Sequence, residues 1–489
     1  MKRLHWYDFI SLNLFWLGLN IRNNAVGTLF TPYLVVAFVS ADYKNTALGL
    51  MNTAGLVIAM LVQPAAGLLS DRSTSRFGRR RPFIFVGVLL DLLFLAAIAL
   101  SWNYTSLLIA TLLMQFSANI SHGPLQGLIP DQVPEEQRGM ASGFKAVMEL
   151  LPLILIAFTI AKLVGIGQFG WAVVATGVAL LITMLLTMVL VKEEPLIQKP
   201  ATPLGPEMVR VLGVLAGILL GGAAGLVAGG AVGGLVGWLV WLFSGAAWGG
   251  APAGVTNLSY EIAIGLGGMV AMAVAVVAGV WAGASATLGK GAREQSAFTW
   301  WVVNRLFFLA AVTSIQKFAP FFLMYAFDIT REAAAEQTGM LMMVVGLFTL
   351  AAAIPGGWLS DRLGHARLVG LSGLLGALGA FLLLGAIWKP SMSIIYLAGV
   401  ILGLAAGLFT ATNWAMGTTL APKTEAGRYL GISNLAGAGA GMIGTGIGGV
   451  VADYLDSFQP GLGYFTLFSC YGVLFILSTL TLRKIGPRG

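Results

Sequence analysis

Gly67-Leu68-Leu69-Ser70-Asp71-Arg72 returns 290 residues later as Gly357-Trp358-Leu359-Ser360-Asp361-Arg362. Arg138 and Arg428, each a few residues ahead of a helix start bearing glycine and serine, share that offset, and Phe30-Thr31-Pro32-Tyr33 is echoed by Phe318-Ala319-Pro320-Phe321 at an offset of 288. Three anchors at nearly one spacing mark an internal duplication, read as two six-helix bundles related by a parallel repeat. Each hexad closes a long hydrophobic run, which makes it the loop after the second helix of its bundle.

Working outward, the 489 residues are 57% hydrophobic and only 10% charged, with a mean hydropathy of +0.86. Soluble domains carry about 25% charged residues, so this is an integral membrane protein. A helix needs ~20 apolar residues to cross a bilayer core. Hydrophobic runs begin near residues 8, 47, 83, 105, 143 and 168; two more occupy 211–243 and 261–287; six others begin near 301, 336, 368, 391, 430 and 462. The expectation is an all-α protein of about fourteen spans. It divides into a first bundle over 1–191, a linker over 192–210, an inserted helix pair over 211–287, a linker over 288–300 and a second bundle over 301–489. Nothing that long and apolar leaves room for a large aqueous catalytic domain, so an enzyme is not expected. The first run is not a cleaved signal peptide, because Asn and Arg stand at its centre and no small-residue cleavage pattern follows.

The net charge of +8 lies mostly in the short segments between runs. Placing alternate loops on one side gathers 20 of the 28 Lys and Arg residues there and leaves Lys44, Lys162, Arg331 and Lys389 on the other. The positive-inside rule then puts both termini in the cytoplasm, in the plasma (inner) membrane, and accounts for the charge without nucleic acid. One cysteine, Cys470, and three histidines without ligand spacing argue against a metal site, and no nucleotide-binding loop or other cofactor motif occurs. In the inserted pair, Gly213, Gly217, Gly221, Gly225, Gly229, Gly233 and Gly237 recur every fourth residue. Such a ridge lets a second helix approach closely, so packing is the expected role.

With Gly-x-x-x-Asp-Arg in the loop after the second helix of each half, the layout resembles the major facilitator superfamily. The segment Gln63 to Ile84, which includes Gly67, Asp71, Arg72, Arg76, Gly78, Arg79, Arg80 and Arg81, is very similar to the matching loop of the plant sucrose/proton symporters and their animal and bacterial relatives. A second match, Asn119, Gly123, Pro124 and Asp131, extends the resemblance over residues 63–131. It implies a glycoside-transporter-like protein whose loop acids and arginines pair differently in different conformations. The gating set expected is Gly67, Asp71, Arg72, Arg76, Gly78, Arg79, Asp131 and Arg138, with Gly357, Asp361, Arg362 and Arg428 from the repeat. Where the family carries an intramembrane aspartate and an arginine implicated in sugar binding, this chain has Gln115 and Gln126. Both can hydrogen-bond a hydroxyl; neither holds a proton as a carboxylate does or a fixed charge as a guanidinium does.

Polar groups inside spans are costly and are functional candidates by default. The first span holds Asn20, Arg22 and Asn23 near its middle. Arg22, too deep to reach water along the helix, needs an acid, and the acids deep in spans are Asp91 and Glu149. Gln115, Asn119, His122 and Gln126 stand at i, i+4, i+7 and i+11, on one helical face. In the second half Gln316 and Lys317 lie mid-span in the seventh family-equivalent helix and Asn413 near the end of the tenth. These ten residues are the expected solute site, with Glu149, ahead of Asp91, as the carboxylate for proton coupling. The function expected is alternating-access transport of a sugar-like polar solute, driven by protons or by the solute's own gradient. Two alternatives stand beside it: a non-transporting assembly or delivery factor for a pigment or lipid, and an exporter of amphipathic compounds.

Overall fold

A computed structural model of the chain describes residues 4–134, 137–191, 193, 205–243, 253–289, 291–420 and 426–486, and no strand occurs among them. The chain opens with α1 (Trp6–Asn24), a π-helical turn (Ala25–Phe30) and α2 (Thr31–Phe38). The widened turn has a local cause. Pro32 has no N–H to donate to the carbonyl four residues back, and its ring crowds that carbonyl; the backbone and hydroxyl of Thr31 both bond to the carbonyl of Val26 instead. The first half continues as α3 (Lys44–Ser70), α4 (Arg81–Ala99), α5 (Tyr104–Gln126), the short α6 (Leu128–Gln132), α7 (Arg138–Phe158), α8 (Ile160–Gly165) and α9 (Phe169–Leu190). The inserted pair is α10 (Gly205–Phe243) and α11 (Ala253–Leu288). After the single turn α12 (Gly291–Glu294) come α13 (Ser296–Phe327), α14 (Arg331–Leu363), α15 (His365–Trp388), α16 (Met392–Leu420), α17 (Ala426–Asp456) and α18 (Leu462–Ile485).

Eleven helices among the described residues are long and apolar enough to cross a membrane, so the count of about fourteen is not confirmed. The segment α1–α2, α5 and α17 lie where the other expected spans fall. The linker residues 192 and 194–204 and the turn residues 244–252 lie outside the described residues, as do the side chains of Arg138, Asp361 and Arg428.

Two compact units form, and they do not follow the chain halves. One comprises Met1–Phe38, Ala54–Val211 and Ile329–Leu350; the other comprises Val39–Thr53, Leu212–Asp328 and Ala351–Gly489. In the first, α1 packs against α7 and α9, and α4 against α5 and α9, around Phe15, Trp16, Val88, Leu125 and Leu180. The beginning of α14 docks here: Tyr33 donates to Glu332 at 3.0 Å, Arg331 lies 4.2 Å over the Tyr33 ring, and Phe169 stacks on its far side. In the second unit α13 packs against α17 and α18, with Phe308 stacked on Phe409 and edge-on to Phe475. The first turns of α3 belong here because α17 supplies their cap. Asp453 accepts from the backbone N–H groups of Asn45 (3.2 Å) and Thr46 (2.6 Å) and from the Asn45 amide (2.7 Å). Those donors have no partner within their own helix, and a carboxylate there also meets the positive end of the helix dipole.

The glycine ridge of α10 faces α11. A methyl group at Gly217 would strike the backbone of Gly283, at Gly221 that of Gly279, at Gly225 that of Ala271 and at Gly229 that of Gly267. Outside that ridge α10 exposes Leu220, Leu226, Val227 and Trp238, the composition of a lipid-facing surface.

Candidate functional site

The loop after α3 is an ion cluster built around an arginine. Gly78, at φ +99°, takes a left-handed turn open to glycine, and a side chain there would run into Glu193. That turn sends Arg80 inward, where it is 6% exposed and pairs with Asp131 and, at 2.7 Å, with Asp71. Its Nη1 also reaches the carbonyl of Pro124 at 3.3 Å. The guanidinium fills the space beside Gly127 that any side chain there would occupy. Arg79 pairs with the other oxygen of Asp131. Burial works against its charge, yet Asp131, with Asp71 and Glu193 behind it, holds this guanidinium above its ordinary range. Glu193 accepts from the backbone N–H groups of Arg80 (2.9 Å) and Arg81 (3.2 Å), so the end of the first bundle caps the start of α4.

Arg80, which the expected gating set leaves out, stands at the centre of this cluster. Asp71 and Asp131 converge on Arg80 rather than on Arg72 or Arg76; Arg76 lies over the Phe77 ring at 4.8 Å on the exposed face. In the second half the hexad recurs in a different local setting. Gly364, at φ +91°, turns directly into α15, no arginine pair follows, and Arg362 lies 4.0 Å over Trp358 on the surface. A side chain at Gly67 would come within 3.8 Å of the Gly123 backbone, whereas Gly357 has open space around it.

Deeper in the first unit, Arg22 and Asp91 form an ion pair at 2.8 Å with both side chains out of solvent. Ser117 supports Asp91 at 3.4 Å, and the Arg22 Nη1 donates to the Asn23 Oδ1 at 2.6 Å. Of the two acids the sequence offers Arg22, Asp91 is the one it meets. Glu149 pairs instead with Lys145, one turn away, at 3.3 Å, and both are about one-third exposed. A buried ion pair with a neutral neighbour on each side is held by charge and by packing, and loss of either partner strands the other. Arg22 is therefore closed to a solute in this conformation, and Asn23 is the exposed polar group beside it.

The polar stripe of α5 is present but graded. Gln126, at the end of the helix, is exposed; His122 and Gln115 are partly buried; and Asn119, 5% exposed, donates to the carbonyl of Gln115 at 2.7 Å. His122 lies edge-on to Trp16, whose ring also carries the Lys145 ammonium at 4.1 Å. Gln126 and His122 stand 3.5 Å apart. Asn20 donates to the carbonyl of Trp16 at 2.9 Å. Lys145, His122, Gln126 and Asn23 thus form the accessible polar surface of this unit. In the second unit Gln316 and Lys317 are partly buried on α13, while Asn413 is fully buried between Asn304 and Arg305. Asn413 positions its neighbours and is not open to a solute, contrary to expectation.

The signature of the Major Facilitator Superfamily matches residues 19–312 and 306–488. The chain belongs to the Major Facilitator Superfamily. As a superfamily member it is 32% identical, over 211 residues, to the Proton-associated sugar transporter A of Homo sapiens, a stretch covering 36% of this chain and 28% of that relative. It is 39% identical over 74 residues to a sucrose transport protein of Oryza sativa subsp. japonica, covering 15% and 13% of the two chains. The chain spans well under half the length of these relatives in each match. Among solved structures, a D-xylose-proton symporter superposes with a TM-score of 0.64 at 16% identity, over 99% of both chains; at that identity the likeness is one of fold. The relatives and the solved structure named here are transporters by name.

Sequence reasoning passed over five residues that matter here. Arg80 and Arg81 stand in the quoted loop, but their order of burial depends on the Gly78 turn. Glu193 reads as linker, Asp453 as the end of a helix, and Arg305 as one basic residue inside a run; only the neighbouring helices reveal their partners.

Proposed function

We propose that the chain carries a sugar-like polar solute across the plasma (inner) membrane by alternating access, with both termini cytoplasmic and with the Arg22–Asp91 pair coupling transport to protons. The observation that carries this reading is that pair, buried at 2.8 Å beside an accessible polar surface of amides, His122 and Lys145. A carboxylate that alternates between pairing with arginine and holding a proton links protonation to conformation, because burial and the partner favour opposite charge states. Sequence reasoning favours Glu149 for this task; its place beside Lys145, away from Arg22, moves the proposal to Asp91. Gln115, His122, Gln126, Asn20 and Asn23 supply hydrogen bonds to solute hydroxyls, and Gln316 and Lys317 are the candidates on α13. The sugar assignment is supported by the named relatives, the proton assignment by the ion pair. The Arg80 cluster is the element whose charge contacts differ between conformations, since an equilibrium moves only through differential interactions.

The test is uptake of a sugar panel into proteoliposomes with and without an imposed pH gradient. Accumulation of one sugar under the gradient is expected for the natural protein. The double variant Arg22→Gln/Asp91→Asn removes both charges and should keep exchange while losing accumulation; Glu149→Gln should keep both. Accumulation surviving in the double variant rules out Asp91, and its loss in Glu149→Gln returns the role to that residue. If no solute moves at all, the assembly or delivery alternative gains instead.

A further inference from the structure

Arg305 is a partly buried guanidinium with no ion-pair partner among the described residues. It lies nine residues into α13, ~14 Å along the axis at 1.5 Å per residue. No carboxylate lies within ion-pair distance of it among the described residues, and α13, α15, α16 and α18 contain no Asp or Glu at all. Among the described residues its one hydrogen bond runs from Nη1 to the Asn413 Oδ1 at 3.3 Å, and its Nε is buried with no partner.

The surroundings hold this group in place rather than hide it. The guanidinium carbon lies 5.2 Å from the Trp414 ring and 6.0 Å from that of Trp301. The Trp301 indole donates to the Asn413 carbonyl at 2.9 Å; the Asn413 amide donates to Asn304 at 2.8 Å; Asn304 donates to the Ser478 carbonyl at 2.7 Å. Every polar side chain of this chain of bonds is satisfied except Arg305. Trp414 is 36% exposed, so the cluster has an open edge. An unpaired charge inside a bundle is expensive, and a planar fork with its Nε edge free matches a two-oxygen anion.

We propose that Arg305 is an oxyanion-binding site, taking the carboxylate or phosphate of an organic anion through its Nε edge, with Trp414 as the apolar wall against which the rest of the ligand stacks. Asn413, Asn304 and Trp301 are positioning residues. Resting on the transport reading, this makes the solute an anionic sugar, such as a sugar acid or sugar phosphate. The same chemistry is offered by an anionic lipid headgroup.

The experiment uses the full chain in phosphatidylcholine nanodiscs, with D-glucuronate, D-glucose 6-phosphate and neutral D-glucose as probes, read by equilibrium dialysis and by tryptophan fluorescence. The site should bind one of the two anions at least tenfold more tightly than glucose. Arg305→Gln should remove that preference, and Arg305→Lys, which keeps the charge but loses the fork, should retain part of it. Trp414→Phe should abolish most of the fluorescence response while leaving binding measurable by dialysis, which shows that a silent signal is not an unfolded protein. In discs doped with phosphatidylglycerol, competition against the soluble anion that Arg305→Gln removes assigns the site to a lipid headgroup and retains the oxyanion chemistry. Equal binding of all three probes, or an anion preference that persists in Arg305→Gln, overturns the proposal. Uptake of the three probes by the natural protein in proteoliposomes reads the transport function separately: anion binding without uptake keeps the site and removes the transport reading, so the two can fail independently.

Discussion

Arg22 and Asp91 show how a single pair sets the terms for its surroundings. With both side chains out of water, neither has an alternative partner of opposite charge, so Asp91→Asn leaves a guanidinium uncompensated in the bundle. The expected cost is about 3–5 kcal/mol, seen as a lower thermal midpoint in detergent. Arg22→Met/Asp91→Leu, which removes both charges at similar volume, should recover most of that loss. If the single and double variants are equally destabilised, packing rather than charge holds the site. At Arg80 the contrast is with Arg76: Arg80→Gln strands Asp71, leaves Asp131 to Arg79 alone and should change turnover several-fold, whereas Arg76→Gln, on the exposed face, should leave it unchanged. Rates of solute exchange in proteoliposomes decide between them; equal effects would show that the cluster acts through net charge.

At the scale of elements, the inserted pair is held by approach distance and not by side-chain volume. The ridge glycines of α10 meet backbone on α11, so Gly221→Leu must push the helices apart and should cost about 1–3 kcal/mol. Gly230, one position off the ridge, has open space around it. Gly230→Ala should stabilise by about 0.5–1 kcal/mol, since glycine weakens a helix interior. Thermal unfolding of the two variants side by side checks this; a stabilised Gly221→Leu would mean that α10 and α11 are not in contact in the membrane. The α3 cap is another element-level device. Asp453→Ala leaves the N–H groups of Asn45 and Thr46 without an acceptor and should cost about 0.5–2 kcal/mol, with hydrogen exchange accelerated at the start of α3 first.

For the whole molecule, orientation is a charge question and can be read with single cysteines. Cys470 is buried, so a Cys470→Ser background is silent to begin with. Thr74→Cys, in the arginine-rich loop, should label only from the cytoplasmic side, and Gln168→Cys, between α8 and α9, only from outside. The opposite pattern would invert the topology.

Much of this was legible in the sequence, because membrane proteins write their architecture in one dimension. The runs, the basic loops and the duplicated hexad needed no partner helix to be read, since a bilayer constrains each span by itself. The stripe on α5 and the glycine ridge on α10 followed from helical periodicity alone. What periodicity could not supply was which groups meet. It offered Arg22 two acids and could not choose Asp91, gave no sign that Asp71 meets Arg80, and could not show Asn413 held between Asn304 and Arg305. Those outcomes depend on distances between residues tens to hundreds of positions apart. Only the packing of α1 on α9, α4 on α5 and α13 among its neighbours turns helical faces into contacts, and so decides which charges are paired and which is left waiting for a ligand.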